Sequence, residues 1–438
     1  QWKRFVEVMG SPEWASEERY RDRRMMGEQY PDEVDALIVP WLKTKTKAEL
    51  LELALETRLP IVPLRTVEEV LESRQLAARN FWRTETIDGR AVRMPGLPFT
   101  FTPSGGASGG LSAPLTGRLV LDLGRVAAAP GVGQWLADLG ATVIKVESRT
   151  HLDSSRKGRP LIASDIGASD AGATPNLMPF FISVNRGKRS LTLDLSTDAG
   201  RSVLDRLVAR ADVLIENVGA GGLEHLDLGP GRLHSIRPEL VVIRVSAVGQ
   251  TGPEAKLAGY APHSTAAAGL DNLCRYPGGE PVGMIATNFG DMNTAAFGSL
   301  AALAGIRSGR GGTFDLSMLE SNVTHLGPQL LEHQLGHPRP VPEPDGPAEP
   351  VPALGTEDLL FDDHIRARDL VVEIPHSVLG IVPVHGVPLR GGPGFMAVRG
   401  PAPDLGEHNG EILAELGLSA EEQRVLAAAG AFDGPVCP

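Results

Sequence analysis

Cysteine is almost missing: Cys274 and Cys437 are the only two in 438 residues. That gives no support to a disulfide framework or to a cysteine-built zinc site. Aromatic residues are also scarce, at 5%, too few for the stacking platforms that grip single-stranded nucleic acid. Positive charge is in the minority. The formal net charge of −12 repels phosphate backbones, although it leaves room for a local phosphate site. No apolar run approaches the roughly 20 residues of a membrane helix. No signal peptide is visible, and Gln1 in place of Met points to a start further upstream. The cytoplasm is the expected compartment. Familiar catalytic signatures are lacking as well. There is no Gly-x-Ser-x-Gly elbow. His325, His333 and His337 have no HExxH frame and no carboxylate at ligand spacing, so no metal is expected. The turn Ala127-Ala-Ala-Pro-Gly-Val-Gly133 fails the dinucleotide fingerprint, because Leu136 stands where the third Gly belongs.

What remains is an ordinary globular composition, 42% apolar and 22% charged, long enough for about two to three domains. Residues 1–65 read as helical, with apolar residues at helical spacing over 31–41 and 47–56. Residues 103–114, rich in Gly and Ser, read as a flexible linker. A new rhythm begins at Gly117. Strand Leu119–Leu123, helix Val132–Leu139 and strand Ala141–Val146 make a βαβ unit. A helix near 197–210 and strands 211–215 and 240–245 continue it. This alternation predicts an α/β fold, a Rossmann-like and mostly parallel sheet, with a smaller helical or α+β domain beside it. The Pro-rich stretch 337–354 reads as an extended linker. An internal repeat spans the chain. Residues 68–79 match 357–368 in length and character, and Pro95-Gly-Leu-Pro-Phe99 matches His385-Gly-Val-Pro-Leu389, at offsets that agree within one residue.

The segment Asn288-Phe-Gly-Asp-Met-Asn-Thr-Ala-Ala-Phe-Gly298 is the most informative. Asp291 stands where a loop becomes an Ala-rich helix. As an N-cap it needs no further role. As a carboxylate at the positive end of a helix, beside a Gly that lets a substrate approach, it suits catalysis, and the helix end favours its ionised form. The Gly-rich turn Glu216–Gly222 follows a strand at the sheet edge where ligands bind, or simply reverses the chain. The basic turn Asn185-Arg-Gly-Lys-Arg-Ser190 is either a phosphate holder or a solvated loop.

In order and spacing these segments resemble the family III CoA-transferases, the CaiB/BaiF group. The resemblance rests on Leu119–Pro130, Leu136-Ala-Asp-Leu-Gly-Ala-Thr-Val-Ile-Lys-Val-Glu147, Asn185–Leu195, Ala211-Asp-Val-Leu-Ile-Glu-Asn217, Gly249-Gln-Thr-Gly-Pro253, Gly259-Tyr260 and Arg310–Ser317. It implies that Asp291 is the catalytic aspartate. It implies CoA contacts at Lys145, Arg149, Arg156, Lys188, Asn217, Gly219 and Tyr260. Its substrates would be an acyl-CoA and a carboxylic acid, with no permanently bound cofactor, no metal, no nucleic acid and no membrane.

Residues 1–104 resemble a later part of the same family: the small domain and the start of the carboxyl arm of an upstream copy. Residues 105–115 are then a linker, and 116–336 the Rossmann-like CoA-binding catalytic domain of a second copy. Residues 337–355 are the Pro-rich linker, and 356–438 the second copy's arm. The second copy lacks its own small domain, and residues 1–65 are expected to fill that place. The family's interlocked dimers imply a homodimer or an intramolecular pseudo-dimer. Two departures stand out: Ala127 replaces a Gln of the family's first turn, and His225 replaces a basic CoA contact. Two rivals accompany transfer. In a 2-methylacyl-CoA racemase a His and the Asp exchange a proton, but the racemase His falls at Tyr260, and His263 is displaced from it. The other rival is a non-catalytic subunit that only binds CoA esters.

Overall fold

The computed structural model describes residues 1–21, 26–27, 29–107, 115–157, 174–276, 278–283, 288–336, 354–377, 379–389 and 395–432. They form two compact units. The first gathers Gln1–Gly96, Thr251–Thr287 and Asn322–Pro338, and the second Leu97–Gln250, Asn288–Ser321 and Arg339–Pro438.

After a short helix at Trp2–Val8, the first unit has helices α1 (Pro31–Leu42) and α2 (Lys47–Thr57) at the predicted places. Pro31 starts α1 because its missing N–H is not needed there. Thr46 and Glu49 form a reciprocal capping box on α2. Two short helices follow, α3 (Val67–Leu71) and α4 (Arg74–Ala78), then the hairpin β1 (Trp82–Ile87) and β2 (Arg90–Pro95). Long-range polar contacts bind this segment to the rest of its unit. The Arg65 guanidinium meets Glu254 at 2.8 Å with both side chains buried, and Gln75 donates to the Thr251 carbonyl at 2.8 Å.

The second unit is built on a seven-stranded sheet of order β3-β9-β8-β7-β4-β5-β6. Its strands are β3 (Phe99–Ala107), β4 (Leu119–Asp122), β5 (Thr142–Glu147), β6 (Arg189–Thr192), β7 (Val213–Glu216), β8 (Val241–Ser246) and β9 (Arg310–Ser317). All neighbours run parallel except β3, which lies antiparallel on β9. The near-continuous apolar runs of β4, β7 and β8 are what a sheet covered on both faces requires. Helices α5 (Ala128–Asp138), α6 (Pro179–Asn185) and α7 (Asp198–Val208) belong to the crossovers. Helix α8 (Phe289–Ser308) leads into β9 and ends at Gly309, φ 66°, a left-handed C-cap suited to glycine. One expectation is corrected. Residues 103–107 belong to β3 rather than to a linker, because backbone pairing with β9 asks little of side chains. Residues 108–114 and the Pro-rich 337–353 lie outside the described residues.

The repeat reappears residue by residue. In the second unit α9 (Thr356–Phe361), α10 (Asp363–Ala367) and the hairpin β10 (Val371–His376) and β11 (Gly380–His385) restate α3, α4, β1 and β2. Ser73 caps α4 and Asp362 caps α10. Asn80 and Asp369 both take a left-handed backbone, φ 53° and 52°. Gly96 donates to the Phe81 carbonyl, and Gly386 to that of Leu370, each at 2.9 Å. The copies diverge where Pro95 becomes His385. There Arg186 donates to His385 Nε2 at 2.6 Å and to Asp138 at 2.7 Å, tying the second copy's hairpin to α5.

Helix α8 packs on α5 and the sheet through small residues. A methyl group on Gly298 would lie 2.6 Å from Val132 Cγ2 and 3.1 Å from Leu316 Cδ2. We expect Gly298→Ala to cost about 1–3 kcal/mol by overpacking, read as a lower urea midpoint at unchanged slope.

Candidate active site

The chain builds β4, β5 and β6 outward to one side and then returns to place β7 on the other side of β4. The reversal puts a crevice at the carboxyl ends of β4 and β7, where ligands bind in open α/β sheets. Asn217, just after β7, bridges it: its side-chain oxygen accepts from the Arg125 N–H, and its amide donates to the Arg125 carbonyl, both at 2.8 Å. A cavity of about 190 Å³ opens along this edge, lined among others by Leu123, Arg125, Ser148, His151, Leu193 and Val218. Gly219, φ 90°, faces open space, a backbone conformation that glycine adopts without strain. Arg149 is exposed in the loop after β5.

Helix α8 leads into β9, which runs parallel to β8, so α8 begins at this same carboxyl edge. Asp291 occupies its first turn. Asn288 is the N-cap, which leaves Asp291 as the third residue of the helix, so the capping reading is corrected. Its carboxylate is 9% exposed, and no partner is recorded for it among the described residues. Burial pushes its pKa up to about 6, overriding the ionised form that the helix end favours. An acid without a partner, buried yet still reached by solvent, is what a nucleophile or proton carrier needs.

Helix α5 starts alongside. A methyl on Gly131 would lie 2.9 Å from Ala295 Cβ and 3.7 Å from Met292 Cε. Ala295 stands one turn after Asp291, on the same face. Ala127, the N-cap of α5, offers no side-chain cap. The N–H groups of buried Ala128 and Ala129 meet no acceptor among the described residues. A buried, uncapped helix start is unusual, and ligand oxygens can complete it.

Three of the expected CoA contacts lie inside the protein. Lys145 is fully buried and meets Asp153 at 2.9 Å. Burial pulls its pKa down, but Asp153, Asp122 and Glu147 together outweigh that and leave it raised. Asp153 is likewise pushed up by burial, yet Lys145 and the Val126 and Ser155 N–H groups hold it near 2. Lys188, fully buried, meets Asp122 at 2.7 Å and also donates to the Pro130 carbonyl and Asn185 Oδ1. Burial and Lys145 draw it down to about 8. The Arg156 guanidinium pairs with Glu147 at 3.0 Å and stacks over Phe181, 3.5 Å from the ring centre. In this geometry all three cations face carboxylates rather than a phosphate. Sequence reasoning missed Asp122 and Asp153, although a lysine within a buried strand is itself a signal, since it requires a carboxylate.

Tyr260 belongs to the first unit and is 46% exposed. Its hydroxyl accepts from Gln1 Nε2 at 2.9 Å, and its N–H donates to His263 Nδ1 at 3.3 Å. His333 pairs with Glu68 at 3.0 Å, and His337 lies outside the described residues. No helix among the described residues is long and apolar enough to cross a membrane.

Comparison with known proteins agrees with this frame. The succinate–glutarate CoA-transferase of Agrobacterium fabrum is 34% identical over 232 residues, 52% of this chain and 56% of that one. The succinyl-CoA–D-citramalate CoA-transferase of Chloroflexus aurantiacus is 35% identical over 238 residues, 52% and 54% respectively. The chain thus spans about half the length of these curated relatives. A crystal structure of a CaiB/BaiF family protein from Brucella suis superposes with a TM-score of 0.61 at 26% identity, covering 70% of this chain and all of that one. The model of CoA-transferase family III matches residues 1–114 and again 115–355. On that double match, which takes in most of its length and fits a tandem arrangement, the chain belongs to CoA-transferase family III.

Proposed function

We propose that this protein moves CoA from an acyl-CoA to a carboxylic acid, with Asp291 carrying the acyl group. The observation that supports this most is the Asp291 carboxylate itself, buried and without a recorded partner on the first turn of α8. Its oxygen attacks the thioester carbonyl and expels CoA thiolate, leaving a mixed anhydride that keeps the acyl group activated. The thiolate attacks the aspartyl carbonyl and releases the donor acid, giving an aspartyl-CoA thioester. The acceptor carboxylate repeats the two steps in reverse and leaves as the new acyl-CoA. Charge and atoms balance without ATP or metal. The free N–H groups of Ala128 and Ala129 suit the oxyanion that forms at each attack. The cavity at the carboxyl edge, lined by Arg125, His151 and Val218 among others, with Asn217 and Gly219 flanking Val218 in the chain, suits the CoA nucleotide. The named activities of the relatives support the reaction class. The domain division, with residues 1–104 standing for an upstream copy's small domain and arm, is part of this proposal and is favoured by the residue-level repeat.

Intact mass after mixing with acetyl-, succinyl- and 2-methylacyl-CoA, with and without hydroxylamine, tests the reading. A hydroxylamine-sensitive adduct at Asp291, lost in Asp291→Asn, is the expected result. Deuterium exchange at the α-carbon without an adduct would move the reading to a racemase, although Tyr260 stands where that enzyme's His would fall. CoA binding with neither signal would indicate a binding subunit.

A further inference from the structure

Val126 takes a left-handed backbone, φ 67°. For a β-branched residue this is a true outlier, and such strain persists only where the surroundings impose it. It lies directly before α5, so its conformation sets how the helix begins. Buried polar groups surround it. The Val126 N–H donates to Asp153 Oδ1 at 3.0 Å. The other Asp153 oxygen holds Lys145 at 2.9 Å, and the same ammonium donates to the Gly124 carbonyl. On the other side of the turn, Asp122 accepts from the Gly124 N–H at 2.8 Å, while Lys188 joins Asp122 to the Pro130 carbonyl at 2.7 Å. Two Lys–Asp pairs with fully buried side chains therefore take hold of one turn through its backbone at Gly124, Val126 and Pro130.

We infer that the Lys145–Asp153 pair is a positioning device: it holds Val126 in the left-handed conformation and so fixes the start of α5, with its free Ala128 and Ala129 N–H groups, beside Asp291. The inference rests on the acyl-transfer reading. It gives the two residues a part in the reaction that no contact with CoA would require. Several features agree with it. The pair is deeper than a surface phosphate can reach. The N–H that it fixes belongs to the strained residue itself. Helix α5 touches α8 one turn below Asp291. Burying a lysine and an aspartate costs free energy that a well-packed apolar pair would avoid, so retention of the pair at a strained turn fits geometric control better than stability.

The test is a double-variant cycle on the full chain. Asp153→Asn keeps the shape and one acceptor oxygen but sets an NH2 group against Lys145, so the pair no longer fixes the carboxamide that holds the turn. Single-turnover acylation of Asp291, by whichever ester of the panel acylates the parent fastest, is expected to slow by roughly 10²-fold, the usual penalty for a misplaced group near the reacting atoms. The dissociation constant for CoA should change by a much smaller factor than the rate, since the start of α5 bears on the reacting carbonyl more than on the nucleotide. Val126→Gly added to Asp153→Asn should recover at least about fivefold of the rate, because glycine adopts a positive φ without being held. Acylation at the parent rate in Asp153→Asn, or a double variant no faster than the single, overturns the inference. If Asp153→Asn does not fold, Val126→Pro is read instead. It leaves both charges in place and removes the N–H and the positive φ, while also restricting Arg125 before it. The same loss is expected, and parent-like acylation overturns the inference. If the parent is acylated by no ester, the transfer reading falls by itself. The clamp is then judged by melting: Val126→Gly should raise the melting temperature of Asp153→Asn, and a further fall would refute it.

Discussion

Asp291→Asn should yield a folded protein that turns over roughly 10⁴-fold more slowly or not at all, yet melts at a higher temperature than its parent at pH 7.5. Loss of the attacking oxygen accounts for the first effect. The second follows from burial. A pKa raised to about 6 means that the folded chain holds this proton more tightly than the unfolded chain does. The associated stability is fully present below the unfolded value, near 4, and is lost as pH rises through about 6. A shift of about 2 units corresponds to about 3 kcal/mol by pH 7.5, and Asn does not carry that penalty. Thermal melts at pH 7.5 and pH 4 should therefore show a gap that closes at the lower pH. A gap of equal size at both would mean that burial of the charge is not its source. In the parent, kcat/KM should fall about tenfold per pH unit below 6, as the ionised fraction falls. A flat profile down to pH 5 would contradict an Asp291 nucleophile with this pKa.

The second large effect is expected at Lys188. Lys188→Met leaves Asp122 as a buried charge whose remaining donor among the described residues is the Gly124 N–H. Removing one partner of a buried pair typically costs about 3–5 kcal/mol. Here the loss also frees the Pro130 carbonyl at the first turn of α5. Urea denaturation reads the cost. Asp122→Asn added to Lys188→Met removes the stranded charge and should restore more than half of it. Failure of the second change to restore anything would mean that packing of the lysine stem, not the charge, is what the site needs.

These sites also show what could be read from the chain alone. Strands β4, β5 and β7 were legible because each is a short apolar run beside a helical stretch, before it for β4 and after it for β5 and β7, and local period carries that information. The repeat was legible because its offset held over two separated segments. Asp291 was legible from its place before an Ala-rich helix, though its position inside the first turn, and the dominance of burial over the helix dipole, needed coordinates. Lys145 and Lys188 illustrate the opposite case. A lysine in a motif suggests a ligand, and only the fold shows that Asp153 and Asp122 reach it first. Asp122 is 66 residues from Lys188, and no spacing rule links the two. Val126 gives no sign of its backbone conformation, because valine is the residue least expected there. Strand β3 was hidden by its composition, since the Gly-Ser stretch that looks unstructured is held by main-chain pairing with β9 and by the Ser104 hydroxyl donating to the Pro238 carbonyl, neither of which local pattern reveals.

That last strand has a consequence for how the seven-stranded sheet survives in solution. Strand β3 precedes the helical crossovers in the chain, yet it is paired along the outer side of β9 from Phe99–Leu316 to Ala107–Arg310. Without it, β9 would present a row of bare amides and carbonyls, an open template for joining another sheet. The piece of chain that resembles the tail of one family copy thus serves as a guard rail against aggregation for the next. A cut made at the apparent domain boundary near residue 115 would remove that rail while leaving every residue of the candidate site in place.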